Sequence, residues 1–231
     1  MSQALALAKK SQGKARPNPS VGALVVKDGK IVGKGSHEIA GKDHAEIIAL
    51  KDAGPSSKGA DLYVTLEPCN HQGKTPPCTN SIISAGISNV YIAMKDPNPL
   101  VNGLGIEYLK NNGINVTSGV MEEEAKKLNL GFLNRMIKSR PYIRSKIAIS
   151  LDGKTSLFNG HSQWITSEAS RADVQKWRLK SCATLTGKGT INSDNPSLSI
   201  KTIPSNQQPL RIILDSHLRV NLDSKILQQS N

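Results

Sequence analysis

Between residues 22 and 120, short apolar runs of strand length alternate with helix-length segments, and the alternation opens on a hairpin. VGALVVKDGKIVGKGS reads as two strands around Asp28-Gly29, a pair suited to the left-handed dihedrals of a two-residue hairpin turn. HAEIIALKDAG follows as a helix ended by Gly54 and Pro55. DLYVTL is the next strand, a loop rich in Pro, Gly and Cys leads to a helix over residues 78–85, and NVYIAM is a further strand. GIEYLKNNG then reads as a helix and INVTSG as a last strand. Residues 3–12 predict a helix ahead of the hairpin, and MEEEAKKLNLGFLNRMIK (121–138) predicts one helix, acidic in its first turn and basic in its last. A hairpin followed by alternating helices and strands implies a mixed sheet with helices on both faces.

Around SRPYIRSK the pattern restarts, which predicts a domain of residues 1–140 and a second α/β unit of residues 141–231. In that unit PYIRSKIAIS, CATLTG and PLRIILDS read as strands and SEASRADVQKWRLK as a helix. Cys182 reads as a core residue, and KILQQSN shows no terminal helix. A chain of 231 residues, 37% hydrophobic, can bury two ordinary cores. No apolar run approaches the roughly 18 residues of a membrane span. The start lacks the charged, apolar, small-residue order of a signal peptide, and three cysteines argue against a disulfide framework. A cytoplasmic location is expected. The net charge of +12 favours anionic partners, either nucleic acid or a phosphorylated small molecule. The plainer reading is the lysine-rich surface of an enzyme, and two Trp, four Tyr and two Phe are thin material for stacking bases.

The residues that bear chemistry lie at element ends. His44-Ala45-Glu46 opens a helix, Pro68-Cys69 follows the strand DLYVTLE, and Cys78 comes after the loop NHQGKTPP. One His and two Cys make a three-ligand set, and a catalytic zinc takes three protein ligands and keeps a fourth position open. Zinc brings the pKa of bound water towards roughly 7, and Glu46, two residues from a ligand, can take that proton and pass it to a departing amine. Alone, HAE is an ordinary helix start and PC an ordinary turn. Together and in this order they form the H-x-E…P-C signature of the zinc nucleobase deaminases. That pattern pairs its cysteines as C-x-x-C, whereas eight residues separate them here.

H-A-E with E-P-C-N-H-Q-G-K-T-P-P-C closely resembles the bifunctional deaminase–reductase family of riboflavin biosynthesis. PNPSVGALVV, KDPNPLVNGLG, LNLGFLNRM, SLDGKT, SQWIT and TINSDNPSL carry the resemblance along the chain. It implies an α/β fold in two parts: a cytidine-deaminase-like three-layer α/β/α domain with a mixed sheet, then the first part of a dihydrofolate-reductase-like α/β domain. It also implies one Zn2+ per chain on His44, Cys69 and Cys78, with Glu46 as proton shuttle. The substrate is then a diaminopyrimidinone bearing phosphoribosylamine, whose 2-amino group is replaced by water. Asn18, His37, His71, Lys74 and Asn98 are expected to line its pocket, although Lys74 by itself reads as a solvated loop lysine. Asn70 stands where the family commonly has serine.

The resemblance further implies NADPH in the second unit, with Lys146 and Asp194 near the reacting sugar carbon. Ala148, Trp164, Thr190, Asp194 and Ser216 match cofactor-contacting positions, and Ser162, Arg178, Leu198 and Lys201 match substrate contacts. Lys201 replaces an expected arginine and loses its planar fork. Trp164 and Leu198 read equally as core, and Arg178 as a helix-surface charge. Family chains continue well beyond residue 231, so this chain is expected to be truncated and its reductase half impaired, unless a partner chain completes it. A homo-oligomer without membrane association is expected. The rival reading is a tRNA- or nucleobase-directed zinc deaminase, or a basic nucleic-acid-binding zinc protein.

Overall fold

The computed structural model describes residues 1–73, 75–99, 101–201 and 208–228. The chain divides into two compact units, Met1–Tyr142 and Ile143–Asn231. The first is built from α1 (Ser2–Lys10), β1 (Gly22–Lys27), β2 (Lys30–Ser36), α2 (Ala45–Ala53), β3 (Asp61–Leu66), α3 (Cys78–Ser84), β4 (Asn89–Met94), α4 (Leu104–Asn111), β5 (Asn115–Ser118), α5 (Glu122–Leu128) and α6 (Leu130–Lys138). Its sheet runs β2-β1-β3-β4-β5. β1 is antiparallel to both β2 and β3, while β3, β4 and β5 are parallel. The hairpin turns at Asp28 and Gly29, with φ of 50° and 74°. This is the conformation that favours the Asp-Gly pair.

The sheet is covered on both sides. Gly22 faces α1, and the cross-strand neighbours Ala23 and Gly35 face the opposite way, towards α2. A Cβ on Gly33 or Gly35 would run into the carbonyls of Ala49 and Ala45, so these glycines let α2 lie directly on β2 along its alanine stripe. That close approach fixes the N-terminus of α2, where His44 and Glu46 stand. Leu62, Val64, Val90 and Ile92, on the two central strands, are fully buried. Strands covered on both faces lose the in–out alternation of an exposed sheet, as VYIAM does.

The single helix expected over residues 121–138 is two helices, broken at Asn129. The buried Asn129 side chain pairs with the backbone of Ser20, accepting from its N–H at 2.8 Å and donating to its carbonyl at 3.0 Å. Gln12 meanwhile donates to the Leu128 carbonyl at 2.9 Å, a group that a continuous helix would use internally.

The second unit contains α7 (Glu168–Leu179), β6 (Ala183–Gly187), α8 (Lys188–Asp194), β7 (Leu210–Leu214) and α9 (Lys225–Gln228). β6 and β7 pair in parallel. Ser167 caps α7 by accepting from the Ser170 N–H at 3.2 Å. Three expectations are corrected. Residues 141–150, read as a strand, are irregular: they carry the apolar residues of a strand but form no strand in the described structure. Cys182, immediately before β6, is exposed, not core. KILQ forms the short α9, whose Ile226 is buried against Ile191 and Leu198. Among the described residues no helix is long and apolar enough to cross a membrane.

Candidate metal centre and active site

The parallel strands β3 and β4 end on the same edge of the sheet, and the crevice beyond such ends is where α/β sheets bind ligands. Chain leaving β3 supplies Cys69, the first residue of α3 is Cys78, and His44 precedes α2. The ligand atoms of these three residues lie within 4.8 Å of one another, and they are the one such cluster among the described residues. His44 Nδ1 is 3.6 Å from Cys69 Sγ and 3.3 Å from Cys78 Sγ. A tetrahedral zinc with bonds of about 2.3 Å to sulfur and about 2.05 Å to nitrogen holds such atoms about 3.6 Å apart, so the donor set fits that ion. Three ligands leave one tetrahedral position to solvent or substrate.

The electrostatics suit the same purpose. The Cys69 thiol is lowered to about 4, chiefly because it accepts a hydrogen bond from the Cys78 thiol, with further help from His44 and the Cys78 N–H. That N–H, at the start of α3, lies 3.5 Å from the sulfur. As the donor in the shared bond, and by burial, Cys78 is pushed upwards. His44 is raised, first by its bond to Cys69. Burial raises the Glu46 carboxyl to about 7, against the pull of His44. Glu46 is 4% exposed and lines the same cavity as His44 and Cys69.

That cavity has a volume of about 230 Å³. Asn18, His37, His71 and Asn98 all line it. Asn18 Nδ2 is 3.1 Å from His37 Nε2, and His37 Nδ1 is 3.0 Å from the Asp43 carbonyl. His37 therefore donates through Nδ1 and accepts through Nε2, which is the neutral ring. Burial lowers its pKa, and His44 acts in the same direction. The Nδ1 of His71 is buried without a partner among the described residues. Lys74 lies outside the described residues. Asn70 accepts a hydrogen bond from Thr79 Oγ1 at 2.8 Å, tying the loop after Cys69 to α3.

Sequence reasoning missed two walls of this cavity. Asp96 follows β4 and is raised to about 6, mainly by burial. Phe132, Arg135 and Met136 come from α6, at i, i+3 and i+4 of one helical face. That spacing is visible in LNLGFLNRM, but a continuous helix would aim the face elsewhere.

In the second unit Ser162 Oγ donates to Asp194 Oδ1 at 3.3 Å, which joins two of the expected residues. Leu198 is buried with Ile191 and Ile226. Trp164 is 72% exposed, under the guanidinium of Arg171, and Arg178 is half-buried on α7. Ala148 lies in the irregular segment, half-buried, and Lys201 is exposed. Among the described residues no side-chain hydrogen bond links Lys146, Thr190 or Ser216 to the Ser162–Asp194 pair.

Comparison with known proteins agrees with both halves. Residues 1–94 match the family model of the cytidine and deoxycytidylate deaminase zinc-binding region, and residues 141–231 match that of the RibD C-terminal domain. The riboflavin biosynthesis protein RibD of Aquifex aeolicus is 53% identical over 98% of this chain and 64% of its own length. The RibD of Escherichia coli is 46% identical over 99% of this chain and 66% of its own. The solved diaminohydroxyphosphoribosylaminopyrimidine deaminase/5-amino-6-(5-phosphoribosylamino)uracil reductase of Thermotoga maritima superposes with a TM-score of 0.92 at 43% identity, covering 100% of this chain and 66% of that one. The chain thus spans a little under two thirds of the length of these relatives. With a deaminase zinc-binding region, a RibD C-terminal domain and close identity between them, the chain belongs to the RibD family of riboflavin biosynthesis proteins.

Proposed function

We propose that the first unit catalyses the hydrolytic deamination of 2,5-diamino-6-(5-phosphoribosylamino)pyrimidin-4(3H)-one to 5-amino-6-(5-phosphoribosylamino)uracil, a step of riboflavin biosynthesis. The observation that carries this reading is the three-ligand cluster of His44, Cys69 and Cys78 with the buried Glu46 on the same cavity. Zinc bound by that cluster would supply Lewis-acid activation of water. Glu46 takes a proton from the attacking water and delivers it to the amino group that leaves. A C–O bond forms at the ring carbon, the C–N bond breaks, and ammonia departs. A carboxyl near neutrality is matched to both halves of that transfer.

Asn18 offers an amide edge, with donor and acceptor, to the ring. His37 fixes Asn18, and His71 and Asn98 complete the polar wall. Arg135, at the α6 side of the cavity, is a cation placed to meet the substrate phosphate, alongside the expected Lys74. The second unit corresponds to the NADPH-dependent reductase half of the longer relatives. There Lys146 and Asp194 are assigned to the reacting sugar, with Ser162 holding Asp194.

The test is ammonia release from the diaminopyrimidinone nucleotide. Glu46→Gln should retain zinc yet lose at least about a hundred-fold in turnover, the lower range for a general acid–base group. Turnover near wild type in a zinc-loaded Glu46→Gln protein refutes the assignment.

A further inference from the structure

We infer that Glu67 is a positioning residue, one that ties Asp96 and Gly103, the ends of the loop that brings Asp96, Asn98 and Val101 to the substrate cavity, in fixed register with the metal ligand Cys69. The inference rests on the deaminase reading above and adds a residue to it. Glu67 extends β3 by one residue, its N–H donating to the Met94 carbonyl at 3.0 Å, and it is 3% exposed. No cation is paired with it among the described ion pairs. Its carboxylate is instead saturated by four backbone N–H groups.

Oε2 accepts from Asp96 at 3.1 Å and from Gly103 at 3.0 Å, the two ends of the loop. Oε1 accepts from Gly105 at 3.0 Å and Ile106 at 3.2 Å, in the first turn of α4. One side chain therefore closes the loop and caps the helix after it, where unpaired N–H groups and the helix dipole both favour an anion. Gly105 completes the joint, since a Cβ there would strike the carbonyl of Pro68, between Glu67 and Cys69. The enclosed loop contributes Asp96, Asn98 and Val101 to the cavity, and Asp96 Oδ1 accepts from the Asn98 N–H at 2.8 Å. Glu67 borders the cavity, but with both oxygens doubly engaged it has no acceptor left for substrate. Its contribution passes through Asp96 and Asn98.

Glutamine at this position turns one oxygen into an NH2 that faces two N–H donors. In zinc-loaded Glu67→Gln, KM should rise at least ten-fold while kcat stays within three-fold and zinc remains at one per chain. Glu67→Asp keeps the charge and should recover part of the KM loss. Amide hydrogen exchange gives a readout that needs no substrate: segments covering 96–106 should exchange at least ten-fold faster in Glu67→Gln, with the β3 segment unchanged. A fall in kcat and melting temperature with KM unchanged would mark Glu67 as merely structural and overturn the inference. So would unchanged exchange at 96–106, or failure of both variants to fold. Should the wild-type protein release no ammonia, the deaminase reading fails, and the exchange comparison alone decides whether Glu67 clamps the loop.

Discussion

The two units hold their chemistry in different ways. In the first, one apolar cluster runs from Ala23 and Val25 on β1 through Leu62 and Val64 on β3 to Val90 and Ile92 on β4. His44, Cys69 and Cys78 each stand within three residues of an element seated on that cluster. In the second, the buried apolar cluster is Ile191, Leu198 and Ile226, and β7 presents Leu210, Ile212 and Leu214 outward. There, hydrogen bonds among the described residues join Ser162 with Asp194 and leave the other expected positions apart. Site geometry is inherited from buried scaffolding: where helices and strands are pinned by packing, residues 34 apart in sequence meet within 3.3 Å.

The contrast can be broken most directly by truncating side chains. Leu62→Ala, in the centre of the first unit, should cost about 2–5 kcal/mol in urea unfolding followed by circular dichroism. Leu214→Ala, at a residue 60% exposed, should stay within about 0.5 kcal/mol when followed by the fluorescence of Trp164 and Trp177, both in the second unit. Equal costs at the two sites would remove the distinction drawn here.

A smaller effect sharpens the comparison, because the well-packed unit also buries groups that oppose folding. Burial raises Asp96 from 3.8 to about 6, so the folded protein holds its proton more tightly than the unfolded chain. That contribution is fully present below pH 3.8 and is lost as pH rises through about 6. Asp96→Asn keeps the Oδ1 acceptor for the Asn98 N–H and removes the charge. The variant should therefore match wild type near pH 3.5 and exceed it above pH 7 by at most about 3 kcal/mol in unfolding free energy. No gain above pH 7 would contradict the burial argument.

The strands of the first unit, its hairpin and its three ligands were legible because their signals are local. Alternating apolar runs, Asp-Gly, H-A-E and P-C each announce themselves within a few residues. The break at Asn129 was not legible, since its cause is a pairing with Ser20, 109 residues away. Missing the break hid the α6 wall, and with it Arg135. PYIRSKIAIS shows the converse failure, a strand-like pattern that is irregular in the structure. Glu67 sat in plain view within E-P-C, but four backbone donors from residues 96 to 106 give it a role that composition cannot disclose.

The central claim is that His44, Cys69 and Cys78 would together hold one zinc ion, with Glu46 on the same cavity. Metal analysis of the purified chain alongside Cys69→Ser, each after dialysis against zinc, tests it in a single comparison. The predicted result is one zinc per wild-type chain with ammonia release, and loss of both together in Cys69→Ser. A wild-type chain that holds no zinc, or a Cys69→Ser chain that keeps full zinc and full turnover, would contradict it.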